Sequence, residues 1–126
     1  TGKTFTSFRS GEKKKRDFEI IKLGLERSRE NLLERIYKRV DIMIEDGLEE
    51  EAKRVYPFRN LQALQTVGYK ELFEYFDRKV DLPTAIENIK INTRQYAKRQ
   101  MTWFKKDKNT IWLCAENKID WKCLDL

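Results

Sequence analysis

The chain has 126 residues, and its 27 Lys and Arg outnumber 21 Asp and Glu to give a formal net charge of +6. Its 40% hydrophobic and 12% aromatic content argues against disorder, and its longest apolar run, residues 111–115, is too short to cross a bilayer. Histidine is absent, which excludes mechanisms and metal sites that need imidazole. The two cysteines are too few for a zinc set or a disulfide framework, so we expect a reduced, cytoplasmic protein without a signal peptide.

The first two thirds of the chain predict one short strand followed by several helical segments. Residues 1–15 are polar and predict a loop or linker, whereas residues 18–25 are apolar and predict a short buried strand. Ser28 is placed to cap a helix that should end at Gly47 in a left-handed conformation. Three helical pieces should follow: Leu48–Val55, one or two turns within residues 60–65, and residues 67–76 with Thr66 as the cap and Leu72, Phe73 and Phe76 buried.

The longest helix is predicted after Asp81, and it has two unlike faces. At ~100° per residue, its apolar arc holds Ile86, Ile89, Thr93, Tyr96, Ala97, Trp103 and Phe104. The opposite arc holds Lys90, Arg94, Lys98, Arg99, Lys105 and Lys106, with Gln95 and Thr102. Trp103 and Phe104 are therefore interpreted as core anchors rather than base-stacking rings. Residues 110–114 predict a second strand, and residues 115–126 a tail of mixed composition.

Charge is segregated along the chain. Residues 90–108 hold seven cations and one carboxylate, whereas residues 41–51 hold six carboxylates and no cation. A segregated basic stretch is typical of a surface that binds a polyanion, although a solvated lysine-rich face is the alternative. A second basic run, Arg9 and residues 13–16, is interpreted as solvated, with contact to RNA as the alternative.

The start of the chain resembles part of a phosphate-binding loop. Gly2, Lys3 and Thr4 match the last three letters of the motif G-x-x-x-x-G-K-[ST]. The chemistry also needs the upstream glycine and a helix that begins at the lysine, and neither is visible in the sequence. We therefore expect no phosphate-binding loop here. Because the sequence begins at Thr1, we expect a fragment of a longer protein.

Four segments carry more specific information. They read RIYKRVD from Arg35, GLEEE from Gly47, LQTVGYKEL from Leu64 and NTRQYAKRQMTWF from Asn92. In this order they resemble the C-terminal part of the bacterial tRNA dimethylallyltransferase family, also called tRNA isopentenyltransferases. The resemblance extends over residues 1–113.

The resemblance implies a mainly α structure with two short β-strands, a C-terminal fragment of a P-loop-type α/β core of three α/β/α layers whose P-loop half is absent. Residues 1–16 would end the family's inserted helical domain and form a linker. Residues 17–114 would belong to the prenyltransferase core, and residues 115–126 to the tail. The family transfers a dimethylallyl group from dimethylallyl diphosphate to N6 of adenosine 37, in tRNAs that read codons beginning with U. Its catalytic Asp lies in the absent half, so we expect no catalytic residue and no activity in this fragment alone.

Two segments are expected to contact the tRNA anticodon stem-loop. A cap at Thr66 would leave backbone N–H groups free for a phosphate, Gly68 would allow close approach, Tyr69 would offer a stacking ring and Lys70 a charge. The alternative is a capped helix whose Gly68 serves tight packing. The residues that the resemblance assigns to tRNA are Gln65, Thr66, Val67, Gly68, Tyr69, Lys70, Arg94, Lys98, Arg99, Gln100, Thr102 and Lys105.

The resemblance also implies cations around the leaving diphosphate, and Arg35 and Arg39 are the candidates. Their alternative role is pairing with Glu34 or Asp41 on the helix surface. Mg²⁺ and dimethylallyl diphosphate are expected in the full-length enzyme, and neither is expected to bind this fragment alone. The expected partners are tRNA and the missing N-terminal half, with no membrane and an open oligomeric state. A stand-alone basic helical RNA-binding module is the alternative function. The cysteines are expected to be buried and inert.

Overall fold

The computed structural model describes residues 15–119, which form four α-helices and two short strands. The elements in chain order are β1 (Leu23–Glu26), α1 (Arg29–Glu45), α2 (Leu48–Val55), two 3₁₀ turns (Tyr56–Phe58 and Gln62–Leu64), α3 (Tyr69–Phe76), α4 (Leu82–Phe104) and β2 (Ile111–Cys114). The prediction of a mainly α structure with two short strands is confirmed. None of the helices in the described range is both long and apolar enough to cross a membrane.

Local signals set most of the helix ends. The Ser28 hydroxyl accepts a hydrogen bond from the Asn31 N–H at 3.3 Å, and the Asp81 carboxylate accepts one from the Thr84 N–H at 2.9 Å. Gly47 separates α1 from α2 at φ +100°, a conformation that costs a glycine little. These three predicted ends are confirmed. They could be predicted because each depends on contacts within four residues along the chain.

The start of α3 differs from the prediction. The helix begins at Tyr69 rather than at residue 67, and Gly68, not Thr66, is its N-cap residue. Gly68 has φ +104° and ψ −60°, which lies outside helical space and stops the helix from extending backwards. The Glu71 carboxylate accepts a hydrogen bond from the Gly68 N–H at 2.7 Å, so it satisfies one of the free donors at this helix end.

The two strands pair in parallel with each other. The register runs from Leu23 opposite Ile111 to Glu26 opposite Cys114. The predicted first strand is wrong in its first half, because residues 18–22 are exposed and outside the strand. A strand extends only as far as a partner can form hydrogen bonds with it, and β2 is only four residues long. Residues 18–22 therefore do not lengthen β1, although they are rich in apolar side chains.

The hydrophobic core lies where the four helices meet. It is formed by Val40, Leu48, Ala52, Leu72, Phe73, Ala85 and Ile89. Only the first half of α4 contributes to it, since Trp103 and Phe104 are 65% and 49% exposed. Within residues 15–119 these two rings therefore do not anchor the core, contrary to the prediction. Their arc of the helix is apolar, but no other described element covers it, and it borders an open cleft of about 1280 Å³ beside β1.

Candidate nucleic-acid interface

The second half of α4 carries an exposed basic face, which we define as Arg94, Lys98 and Arg99. All three side chains are exposed, and within residues 15–119 none of them forms an ion pair. The Arg99 guanidinium lies 5.9 Å from the centroid of the Tyr96 ring, which leaves its N–H groups available. Arg94 and Lys98 are one helical turn apart, so their charges are neighbours in space. This arrangement suits successive phosphates of a nucleic-acid backbone.

The basic face is shorter than the sequence predicts. Lys90 forms an ion pair with Asp41 at 2.7 Å and its side chain is only 18% exposed, so it joins α4 to α1 rather than extending the face. Lys105 is shared between Glu26, at 3.3 Å, and the ring of Trp112, at 5.5 Å from the centroid. These two cations are at least partly neutralised by the protein itself.

Two further candidates on α4 are placed differently from the basic face. The Thr102 hydroxyl donates a hydrogen bond to the Lys98 carbonyl at 3.0 Å, so its donor is already used by the helix. Gln100 is exposed but lines the cleft beside β1, together with Met101 and Trp103. The structure therefore does not bring Gln100 together with the three unpaired cations.

The loop before α3, residues 65–68, is held by several hydrogen bonds. The Gln65 amide donates to the carbonyl of Arg59, and the Lys70 N–H donates to the carbonyl of Thr66 at 3.0 Å. The side chains of Thr66, Val67 and Lys70 are exposed. The loop and the first turn of α3 therefore present polar, apolar and cationic groups from a backbone of defined shape.

The hydroxyl and the ring of Tyr69 both contact other residues of the protein. Its hydroxyl donates a hydrogen bond to Glu51, and this bond to a carboxylate raises the pKa of Tyr69 above its usual range. Its ring stacks on Phe73 with centroids 6.1 Å apart. The expectation of a free stacking ring is corrected accordingly, because one face of the half-buried ring packs on the core.

Gly68 is not required for tight packing. A Cβ built at this position meets no heavy atom within 4 Å apart from its chain neighbours, so the tight-packing alternative is wrong. The glycine is needed for its positive φ instead. Its N–H, however, donates to Glu71, so this donor is not free for a phosphate as the sequence suggested.

The residue that sequence reasoning missed is Glu71. It is the one charged side chain that is buried within the described part of the chain, at 3% exposure. Its second carboxylate oxygen accepts a hydrogen bond from the Asn92 amide at 2.6 Å, which joins the loop to α4 two residues before Arg94. It lies three residues after the N-cap residue, but that residue is a glycine without a side chain, so the usual sequence signature of a capping box is absent here.

Arg35 and Arg39 lie on a different helix from the basic face. Both are exposed on α1, and neither has an ion-pair partner within residues 15–119. The alternative of pairing with Asp41 is not realised, since Asp41 pairs with Lys90. Both guanidinium groups are therefore available for an external anion.

Other candidate chemistry is sparse in the described range. Residues 15–119 contain no group of three or more Cys, Asp or Glu side chains placed to hold a metal ion. Cys114 is free and exposed, which corrects the expectation that it is buried. Cys123, the match at Gly2 to Thr4, and Arg9 with residues 13 and 14 of the first basic run lie outside the described residues.

Comparison with known proteins gives consistent matches. The family described as IPP transferase matches residues 1–107. The tRNA dimethylallyltransferase 1 of Phocaeicola vulgatus is 59% identical over 120 residues, which are 95% of this chain and 40% of that protein. The tRNA dimethylallyltransferase 1 of Bacteroides thetaiotaomicron is 52% identical over 95% of this chain and 39% of its own length.

Solved structures agree with these matches. The crystal structure of a tRNA isopentenylpyrophosphate transferase from Bacillus halodurans has a TM-score of 0.76 and 42% identity, over 83% of this chain and 36% of that one. A tRNA delta(2)-isopentenylpyrophosphate transferase from Staphylococcus epidermidis has a TM-score of 0.76 and 40% identity, over 86% of this chain and 36% of that one. The chain spans about 40% of the length of the curated relatives it matches.

Proposed function

The chain belongs to the IPP transferase family, and we propose that it is the tRNA-contacting, C-terminal part of a tRNA dimethylallyltransferase. The full-length protein would transfer a dimethylallyl group from dimethylallyl diphosphate to N6 of adenosine 37, in tRNAs that read codons beginning with U. The adenine has to leave the stacked anticodon loop for its amine to be reached, so the enzyme must hold the surrounding RNA firmly. We assign that holding role to this chain.

The observation that carries the proposal is an unneutralised basic face on α4 together with a shaped loop, residues 65–68, that is held beside this helix. Arg94, Lys98 and Arg99 have no ion-pair partner in the described range. The Gly68–Glu71–Asn92 hydrogen bonds hold the loop against α4. We propose that the basic face contacts phosphates of the anticodon stem. Thr66 of the loop and Lys70 in the first turn of α3 would contact the RNA beside it.

The other predicted tRNA contacts have smaller roles in this proposal. Lys105 would reach RNA only by sharing its charge with Glu26, and Thr102 would offer its oxygen as an acceptor. Gln65 and Tyr69 would support the loop, and the exposed side chain of Val67 would pack against the RNA. Gln100 would act from the cleft side of α4.

We further propose that Arg35 and Arg39 face the diphosphate that leaves during transfer. Guanidinium groups suit this task because they make forked hydrogen bonds to phosphate oxygens and stabilise the charge that develops. The support is that both are exposed and without a carboxylate partner within residues 15–119. Residues 15–119 contain no group of three or more Cys, Asp or Glu side chains placed to hold a metal ion. We propose that Mg²⁺, where the full-length enzyme uses it, is held by residues outside this range.

The rest of the full-length protein would cover the surfaces that this chain leaves open. A parallel sheet is normally buried on both faces and has more than two strands. Within residues 15–119, β1 and β2 pair only with each other, and apolar residues line the cleft beside them, among them Leu25, Trp103 and Phe104. We propose that the N-terminal part of the same protein completes an α/β core of three layers at this cleft. A stand-alone RNA-binding module is not favoured, because this chain matches only a part of each of the longer transferases to which it is similar.

The proposal is tested by prenyl transfer. The full-length protein that contains this chain, incubated with labelled dimethylallyl diphosphate and a tRNA reading a codon that begins with U, should label adenosine 37. The same tRNA with guanosine at position 37 should remain unlabelled, since it lacks the N6 amine. Residues 1–126 alone should transfer nothing. Turnover by this fragment, or absence of turnover by the full-length protein, would contradict the proposal.

A further inference from the structure

Glu71 is an unexpected residue for the interior of a helical domain. Burying a carboxylate is unfavourable unless hydrogen bonds compensate for the lost water, and no cation pairs with it in the described range. Both of its oxygens are used: one accepts from the Gly68 N–H at 2.7 Å and the other from the Asn92 amide at 2.6 Å. An apolar side chain would fill the same space, so the carboxylate serves to hold these two donors.

The two donors belong to the two elements of the candidate interface. Gly68 ends the loop of residues 65–68, and its backbone conformation is not imposed by packing at its α-carbon, since a Cβ there meets nothing within 4 Å beyond the chain neighbours. The Glu71 hydrogen bond is one of the contacts that fix this turn, beside the hydrogen bond from the Lys70 N–H to the Thr66 carbonyl. Asn92 is half-buried on α4, two residues before Arg94 and within two turns of Lys98 and Arg99. One carboxylate thus links the loop to the basic face.

We propose that Glu71 and Asn92 are positioning residues that hold the loop and the basic face in one fixed relation, so that both contact the same RNA. The inference rests on the proposed tRNA-modifying function. Neither side chain touches RNA in this scheme. Their contribution is to settle the shape of the interface before binding, so that less conformational freedom is lost when the tRNA docks.

The geometry allows a test in which the hydrogen-bond roles are exchanged. Asn92→Asp in the full-length protein sets two carboxylates against each other and removes the link. The double variant Glu71→Gln with Asn92→Asp restores it in reverse, because the new amide on α3 can donate to the new carboxylate on α4 while its carbonyl accepts from Gly68. Asn92→Ala removes the link without adding charge. Asn88→Asp, one turn earlier on α4, is the matched control for the added charge, since Asn88 is also half-buried there and lies outside the link.

The readouts are the KM for tRNA, the KM for dimethylallyl diphosphate and the thermal unfolding midpoint. We expect Asn92→Asp and Asn92→Ala to raise the KM for tRNA about tenfold, the effect of losing one interaction of ordinary strength. The double variant should return to within about threefold of wild type. The KM for dimethylallyl diphosphate should stay unchanged in all variants. Loss of folded protein would lower the maximal rate, and it would not raise the KM for tRNA alone.

Two results would overturn the inference: an unchanged KM for tRNA in Asn92→Ala, or a double variant no better than Asn92→Asp. Should Asn92→Asp not fold, Asn92→Ala and the double variant still decide the matter. Failure of the proposed function looks different, because the wild-type protein itself would then transfer nothing to adenosine 37.

Discussion

Removing two adjacent charges from the basic face gives a direct measure of its role. We consider Lys98→Ala combined with Arg99→Ala in the full-length protein, since both side chains are exposed and neither has an ion-pair partner in the described range. Each would neutralise one phosphate and release its condensed counterion. The slope of log K against log salt should therefore become shallower by about 0.7 to 0.9 for each contact, or about 1.4 to 1.8 for both. Extrapolated to 0.15 M salt, the same relation gives a loss of affinity of about 15- to 30-fold.

The chain offers a matched control in the same dipeptide elsewhere. Lys53 and Arg54 are exposed in the last turn of α2, on a helix whose first turn carries three carboxylates. Replacing both by Ala removes an equal charge from a surface that the proposal leaves free of RNA. Fluorescence anisotropy of labelled tRNA, measured over a range of about 50 to 300 mM salt, compares the two double variants. Equal losses in both variants, or an unchanged salt slope after loss of Lys98 and Arg99, would refute the assignment of phosphate contacts to this face.

Two further predictions concern stability. Leu72→Ala should lower the free energy of unfolding by about 2 to 5 kcal/mol, because Leu72 is fully buried where the helices meet. Leu61→Ala, at an exposed position, is the control. Similar urea midpoints for the two variants would contradict the assignment of Leu72 to the core. The Thr84 hydrogen bonds lower the pKa of Asp81, so this carboxylate stabilises the fold above its ordinary pKa, and the contribution is lost as the pH falls below about 4. Asp81→Asn keeps a capping oxygen without a charge, and the stability difference from wild type should shrink between about pH 6 and about pH 2.5. A difference independent of pH would show that the charge of Asp81 has no part in it.

The sequence alone determined the features that depend on neighbours within one or two helical turns. The caps at Ser28 and Asp81 and the left-handed turn at Gly47 were predicted correctly, because their hydrogen bonds and dihedral preferences are local. The periodicity of residues 82–104 likewise predicted a helix with one apolar and one basic side. The family resemblance was also contained in the order of the motifs, and the matches to IPP transferases confirm it.

Only the tertiary structure decided which parts of each face are covered and which charges are paired. Periodicity says that Trp103 shares an arc with Ile89, but Ile89 meets the other helices while Trp103 does not. The pairing of Lys90 with Asp41 and the link from Glu71 to Asn92 join residues 49 and 21 positions apart, and no local rule relates such positions. Burial and ion pairing depend on the elements that pack together, and the composition of a single helix does not contain that information.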